Sequence, residues 1–355
     1  MRIFMCAFVS LVSSIAFALP DESDFQVNAD FPDMTPGGTG FVGCSIPDGR
    51  YLVWNGNEVF IQAAVGSGVF NEIASGYIGD PSFVALSFDQ TYVLLGQGFG
   101  NGVTANAYPF DFSNPQDYQS GDEVVLPSHY SGAFLSSTLL ALDRGDFGSP
   151  AEIVVVDISG LRSVSAPVAV LDLPEPPADA RDTIITKPLG SFSSTITVDG
   201  GVVYVTDAGN GQYKSFPAAD LITAFNTTST IPWSNGTDIG TPFQYPMNGV
   251  AGVTAIGNLV ISGFGAIVEV EPVSGTIVNS IDPAGTGPFY GIIYNDQIED
   301  FIAIEFPPVF GDPLIVYTTE AGVAALPAAS FLALGLGATG IVIGVLLLRR
   351  RENFA

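Results

Sequence analysis

Three kinds of side chain are scarce in this chain of 355 residues, and each scarcity closes off a class of chemistry. Histidine occurs once, as His129, so any Ser/His/Asp or Cys/His catalytic arrangement would have to use that residue. No Gly-x-Ser-x-Gly elbow accompanies it, and it sits in Leu126-Pro127-Ser128-His129-Tyr130-Ser131, which reads as a hydrogen-bonded or solvated turn. Cysteine occurs twice, as Cys6 and Cys44. Zinc sites built from several His or Cys ligands are therefore out of reach. Lysine and arginine together number 10 against 36 acidic residues, a formal net charge of −26. Such a surface repels nucleic acid and anionic lipid, and no Gly-Lys-Ser phosphate loop is present. Sustained 3.6-residue periodicity is also missing, Pro217 to Phe225 being the single weak helical candidate.

The two ends carry what the middle lacks. Arg2 precedes an apolar run, Ile3 to Phe17, and Ala16-Phe17-Ala18 has the small-x-small form that signal peptidase cuts. Residues 1–18 are expected to be a signal peptide, leaving Leu19 first in the mature chain and Cys44 as its only thiol. An exported chain without an internal disulfide must hold itself together by packing. At the other end, Ala328 to Leu348 is 21 residues without a charge, followed by Arg349, Arg350 and Arg351. At ~1.5 Å per residue that run spans roughly 32 Å as a helix, enough to cross a bilayer core, and the arginines remain on the side of synthesis. Residues 19–325 are then an ectodomain with six basic residues (Arg50, Arg144, Arg162, Arg181, Lys187 and Lys214) and 35 of the acidic ones. Residues 326–355 form a C-terminal sorting or anchor segment.

Within the ectodomain short β-rich runs alternate with Gly, Pro, Asn and Asp; the chain has 41 Gly and 25 Pro. A strand–turn–strand unit recurs six times: CSIPDGRYLVW, VALSFDQTYVLL, GAFLSSTLLAL, STITVDGGVVYV, GVTAIGNLVIS and GIIYNDQIEDFIAI. The turns centre on Asp48, Asp89, Ser136, Asp199, Gly257 and Asp296, which lie 41, 47, 63, 58 and 39 residues apart. A period of that size suits the four-stranded blade of a β-propeller. The reading is all-β, a propeller of six blades, with seven blades or a β-sandwich as alternatives, plus one C-terminal transmembrane helix. The apolar run Gly201 to Val205 reads as an inner strand. Ring closure is expected from Pro313–Thr319 or from Phe25–Val27. AIVEVEPVSGTIVNSI, from Ala266, and AEIVVVDISGLRSVSAPVAVLDL, from Ala151, resemble the third and fourth strands of quinoprotein-like and surface-layer propeller blades.

The tail carries a second resemblance. Leu326-Pro327-Ala328-Ala329, the apolar run and the arginines resemble the tripartite PEP-CTERM sorting signals handled by exosortases, in their Val-Pro-Leu-Pro-Ala form. The Pro-Glu-Pro signature is absent, and four residues follow the arginines. The resemblance implies cleavage near Pro327 by an exosortase-like membrane enzyme and transfer of the ectodomain to the envelope; a permanent anchor is the alternative. The residues assigned to processing and sorting are Ala16, Ala18, Leu326, Pro327, Ala328, Arg349, Arg350 and Arg351.

Candidate chemistry in the ectodomain is thin. Asp143-Arg144-Gly145-Asp146 and Asp207-Ala208-Gly209-Asn210-Gly211 come nearest to calcium loops, but neither has the Asp-x-Asp-x-Asp-Gly spacing, and both read as tight turns. Calcium is the one cofactor left open, and no metal ligand is assigned. Trp54, Trp233, Phe99, Tyr108, Tyr118, Tyr130, Tyr213 and Tyr245 read as loop aromatics that either stack on sugars or fill gaps between blades. Asn226-Thr227-Thr228 and Asn235-Gly236-Thr237 are formal glycosylation sequons, relevant only to a eukaryotic secretory route. The expected function is a surface-displayed module that binds or scaffolds an extracellular glycan or protein. The alternative is an extracytoplasmic glycan hydrolase, lyase or lactonase that depends on carboxylates or calcium.

Overall fold

A computed structural model describes residues 25–28, 31, 42–77, 81–98, 104–113, 124–144, 151–159, 183–189, 191, 195–246, 249–263, 266–281, 289–295, 297–298, 300–305 and 315–319. The chain begins with a three-residue strand, β1 (Phe25–Val27). Antiparallel meanders follow. The first sheet holds β2 (Val42–Ser45), β3 (Tyr51–Trp54), β4 (Glu58–Gln62) and β5 (Phe70–Ser75). The second holds β6 (Pro81–Leu86), β7 (Val93–Gln97), β8 (Thr104–Phe110) and β9 (Val124–Pro127). The third holds β10 (Ser131–Phe134), β11 (Leu139–Arg144), β12 (Glu152–Asp157) and β13 (Thr183–Thr186). The fourth holds β14 (Ile196–Asp199), β15 (Val202–Asp207), β16 (Gln212–Pro217) and β17 (Thr237–Asp238). The fifth holds β18 (Gly249–Val253), β19 (Leu259–Gly263), β20 (Ala266–Glu271) and β21 (Thr276–Ile281). The sixth holds β22 (Phe289–Asn295), β23 (Asp300–Glu305) and β24 (Ile315–Thr319), with β1 as its outermost strand. All six recurring turns fall between the first and second strands of these four-stranded sheets.

Local chemistry shapes those turns. Asp48 accepts the Arg50 backbone N–H at 3.1 Å and its Nε at 2.8 Å, so the Arg50 side chain holds the Asp48 carboxyl below its usual range. Asp89 does similar work on Ser87 and Thr91. In the fourth sheet the turn is Gly200-Gly201, with φ of 53° and 81°. Positive φ at both central residues is what a two-residue hairpin matching the strand twist demands, and glycine meets that demand without strain.

The first strands β2, β6, β10, β14, β18 and β22 pack in succession around a ring, and β22 returns to β2. Hydroxyl groups stitch neighbouring inner strands together where hydrogen-bonded pairing has ended. Ser131 Oγ accepts Ile196 N–H at 3.2 Å, Thr195 Oγ1 accepts Val250 N–H at 2.7 Å, and Thr197 Oγ1 donates to Val250 O at 3.3 Å. Phe83 of β6 lies against Gly96 and Gly132, where a Cβ on either glycine would run into its ring. The fold is an all-β propeller.

The apolar core lies between adjacent sheets. Leu52, Trp54 and Val59 of the first sheet meet Val93, Leu95 and Tyr108 of the second. The second strands are sandwiched on both faces, and β15 is buried over Val203 to Asp207. This corrects the sequence expectation, which placed Gly201–Val205 innermost: the inner strand of that sheet is β14, whose Thr197 and Val198 are only half-buried. The third-sheet repeat needs a similar correction. Its third strand is β12, as expected, but its fourth is β13, paired Ile153 to Ile185, and not the Val-Ala-Val-Leu-Asp-Leu run, which lies outside the described residues.

Both strands expected to close the ring do so, by pairing with each other: Phe25 opposite Thr319 and Val27 opposite Tyr317. Asn28 extends the latch, donating N–H to Val316 O at 2.8 Å and Nδ2 to Gly68 O at 3.0 Å. On the same seam, buried Asn295 donates to Gly49 O at 2.8 Å and Gln297 to Ile46 O at 3.1 Å. The expected helix is present as α1 (Ala218–Asn226). It buries Ala218, Leu221 and Ala224 and packs on β12, β13 and β16, bridging the third and fourth sheets. Among the described residues no helix is long and apolar enough to cross a membrane. The expected signal peptide (1–18) and membrane span (328–348) lie outside them.

Candidate functional site

A group of buried polar side chains sits where the third and fourth sheets meet. Asp143 is the penultimate residue of β11, and Lys187 follows β13. Both side chains are fully buried, with Lys187 Nζ 2.7 Å from Asp143 Oδ2. Lys187 also donates to Thr206 O on β15 at 2.8 Å, so a single ammonium ties the two sheets together. Trp233, in a short 3-10 turn (Trp233–Asn235), has two cations over its ring, Lys187 Nζ at 5.9 Å and Lys214 Nζ at 5.7 Å from the centroid. Its indole N–H donates to Gln212 at 2.9 Å. Lys214 reaches Asp238 at 2.5 Å and Gly236 O at 3.1 Å. Cations over an indole face are attracted by its quadrupole, more strongly when desolvated. Lys187 thus clamps the third sheet to the fourth, and Lys214 ties β16 to β17 within the fourth.

His129 lies at the junction of the second and third sheets. It is fully buried and hydrogen-bonded, so of the two sequence alternatives the solvated one is corrected. Its Nδ1 bonds Pro127 O at 2.7 Å, and its ring faces Phe83 at 5.1 Å between centroids. Nε2 has no hydrogen-bond partner among the described residues. Burial pushes the imidazole pKa down to about 4, only partly opposed by the Pro127 bond, so His129 is neutral at pH 7. Gly98 packs so closely on the His129 carbonyl that a Cβ there would collide with it.

Of the two calcium-loop candidates, Asp207 is a turn former: it accepts from Asn210 N–H at 3.2 Å and Nδ2 at 2.8 Å. Asp143 is not a turn residue but the buried partner of Lys187. Among the described residues no group of three or more His, Cys, Asp or Glu is placed to hold a metal. Cys44 is half-buried as a residue, yet its thiol packs against the core between the first two sheets, and burial pushes it up to about 12. A thiol so far above neutral is no nucleophile at physiological pH.

The aromatics resolve toward packing. Trp54, Tyr108 and Tyr213 lie in strands, not loops, and are buried with Trp233 and Tyr245. Trp54, Tyr77 and Tyr108 form an edge-on cluster with centroids 5.3 to 6.3 Å apart. Tyr245 donates to Gly275 O at 2.5 Å, which fastens the fourth sheet's outer loop to the fifth sheet. Tyr130 is half-buried, while Phe99 and Tyr118 lie outside the described residues. So do the processing and sorting residues Ala16, Ala18, Leu326, Pro327, Ala328, Arg349, Arg350 and Arg351.

No protein-family model matches the chain, and no curated protein does. Solved structures resemble it in shape at very low identity. A luciferin-regenerating enzyme aligns with a TM-score of 0.50 at 10% identity, covering 80% of this chain and 93% of that one. The β-propeller domain of Cps50 (Swd1) from Myceliophteria thermophila aligns with a TM-score of 0.47 at 12% identity, over 78% and 96%. A protein of unknown function from Bacteroides thetaiotaomicron aligns with a TM-score of 0.47 at 10% identity, over 83% and 75%. At such identities the likeness speaks to the fold alone.

Proposed function

We propose that this chain is an exported propeller, held at the cell envelope by its C-terminal segment, that binds or scaffolds an extracellular glycan or protein. A propeller supports a binding or scaffolding module in general, because a rigid ring presents loops on both faces. The observation that carries the reading is how the ring uses its reactive side chains. Lys187 and Asp143 are buried in a contact between sheets, His129 is buried against Phe83 of the second sheet, and the Cys44 thiol is packed into the core. What remains outside is an acidic, turn-rich surface suited to recognition. Localisation rests on the two terminal segments of the sequence, with signal peptidase and an exosortase-like enzyme as processing partners.

Chelation distinguishes this from the metal-dependent hydrolase, lyase or lactonase. The purified protein should keep its Tm within error in excess EDTA while still retaining ligands on a glycan array or from an envelope extract. A Tm that falls on chelation and returns with calcium would favour the enzyme.

A further inference from the structure

Thr319, the last described residue of the ring, is the register partner of Phe25, so the first and last described strands meet end to end at one corner of the sixth sheet. Only eight residues, 320–327, separate Thr319 from the expected span at Ala328. Fully extended, they reach roughly 28 Å. Beside that corner lies the turn between β4 and β5, Ala63-Ala64-Val65-Gly66-Ser67-Gly68-Val69, which Asn28 touches through Gly68 O. Asn28 is three residues from Phe25, about 10 Å along a strand.

The turn carries no charge in a chain of net −26, and Ala63, Ala64, Val65 and Val69 are all exposed, Val65 at 45% and Val69 at 53%. It is also held in shape: Ala63 N–H donates to Val69 O and Ser67 N–H to Ala64 O, both at 2.9 Å, and buried Gln62 donates to Ser67 O at 2.7 Å. A fixed, uncharged apolar tip within a short tether's reach of a bilayer is placed to meet the lipid surface. We propose that the 63–69 turn is a membrane contact, so that the ring rests against the bilayer on its first and sixth sheets. The opposite rim, at the third and fourth sheets, then faces outward. The proposal rests on the anchored reading above. It commits to a zwitterionic or neutral lipid face, because the acidic surface would be pushed from an anionic one.

The test uses the full chain in phosphatidylcholine vesicles brominated on their acyl chains, with Val65→Trp and Val69→Trp read against Leu189→Trp. Leu189 is 85% exposed and lies at the junction of the third and fourth sheets, across the ring. Trp54 and Trp233 are buried and supply a constant background. The expected result is bromine quenching and a blue shift for tryptophan at 65 and 69, with emission at 189 unchanged. Vesicles that float with the protein while positions 65 and 69 stay unquenched, or while 189 is quenched equally, overturn the contact and leave the anchor standing. A full chain that fails to float contradicts the anchor itself, and the contact with it.

Discussion

Replacing Lys187 with methionine is expected to lower stability by about 3–5 kcal/mol, because it strands the Asp143 carboxylate in the interior without its counter-charge. Both partners are fully buried, and Lys187 also satisfies Thr206 O on the neighbouring sheet. The variant therefore loses a tie between sheets as well as an ion pair. Urea unfolding should show a lower midpoint at unchanged m. The companion experiment is the double replacement Lys187→Met with Asp143→Leu. Removing both charges eliminates the two desolvation penalties together, so the double variant should recover most of the loss. If Lys187→Met alone unfolded at the wild-type midpoint, Lys187 would not be the clamp described above.

Acidification is expected to weaken the ring through His129 in a defined window. Its pKa in the folded protein is about 4 against an ordinary 6.5, so the unfolded chain takes up a proton first as pH falls. The contribution is complete above pH 6.5, shrinks as pH falls below it, and is gone below about 4. A shift of that size corresponds to roughly 3 kcal/mol. As the only histidine, it is the one side chain whose ordinary pKa falls in this range. Carboxylates such as Asp48 and Asp89 are held below 3.8 and so act at lower pH. Unfolding free energies measured from pH 7.5 to 5 should slope for the wild type and slope less in His129→Leu; equal slopes would contradict the assignment.

The repeat was legible because turn chemistry is local. Asp-Gly-Gly at 199–201 and Ser-Phe-Asp-Gln-Thr at 87–91 state their own conformations, and each marks the break between the first two strands of a sheet. The latch was legible as two candidate strands but not as a pair, since Phe25 and Thr319 meet only when every intervening sheet is in place. Burial of the polar groups was not legible. Lys187 finds Asp143 44 residues away and Thr206 19 residues away, through the stacking of two sheets. His129 is hidden by Phe83, which belongs to another strand of the ring. One clue was available: Lys187 and Lys214 are the only lysines of the chain, each set against β-branched or aromatic neighbours. In so acidic a protein a lysine in an apolar run is a candidate for a buried partner. The inner strands were misplaced for a related reason. Hydrophobicity peaks in the second strand of a blade, which is covered on both faces, and not in the first, which lines the axis.

The claim on which the functional account stands is export with retention at the envelope, and the intact mass of the mature protein tests it most directly. The expected product is an envelope-associated species beginning at Leu19, ending either near Pro327 after sorting or at Ala355 with a permanent anchor. A cytosolic species that still begins at Met1 and ends at Ala355 would contradict it.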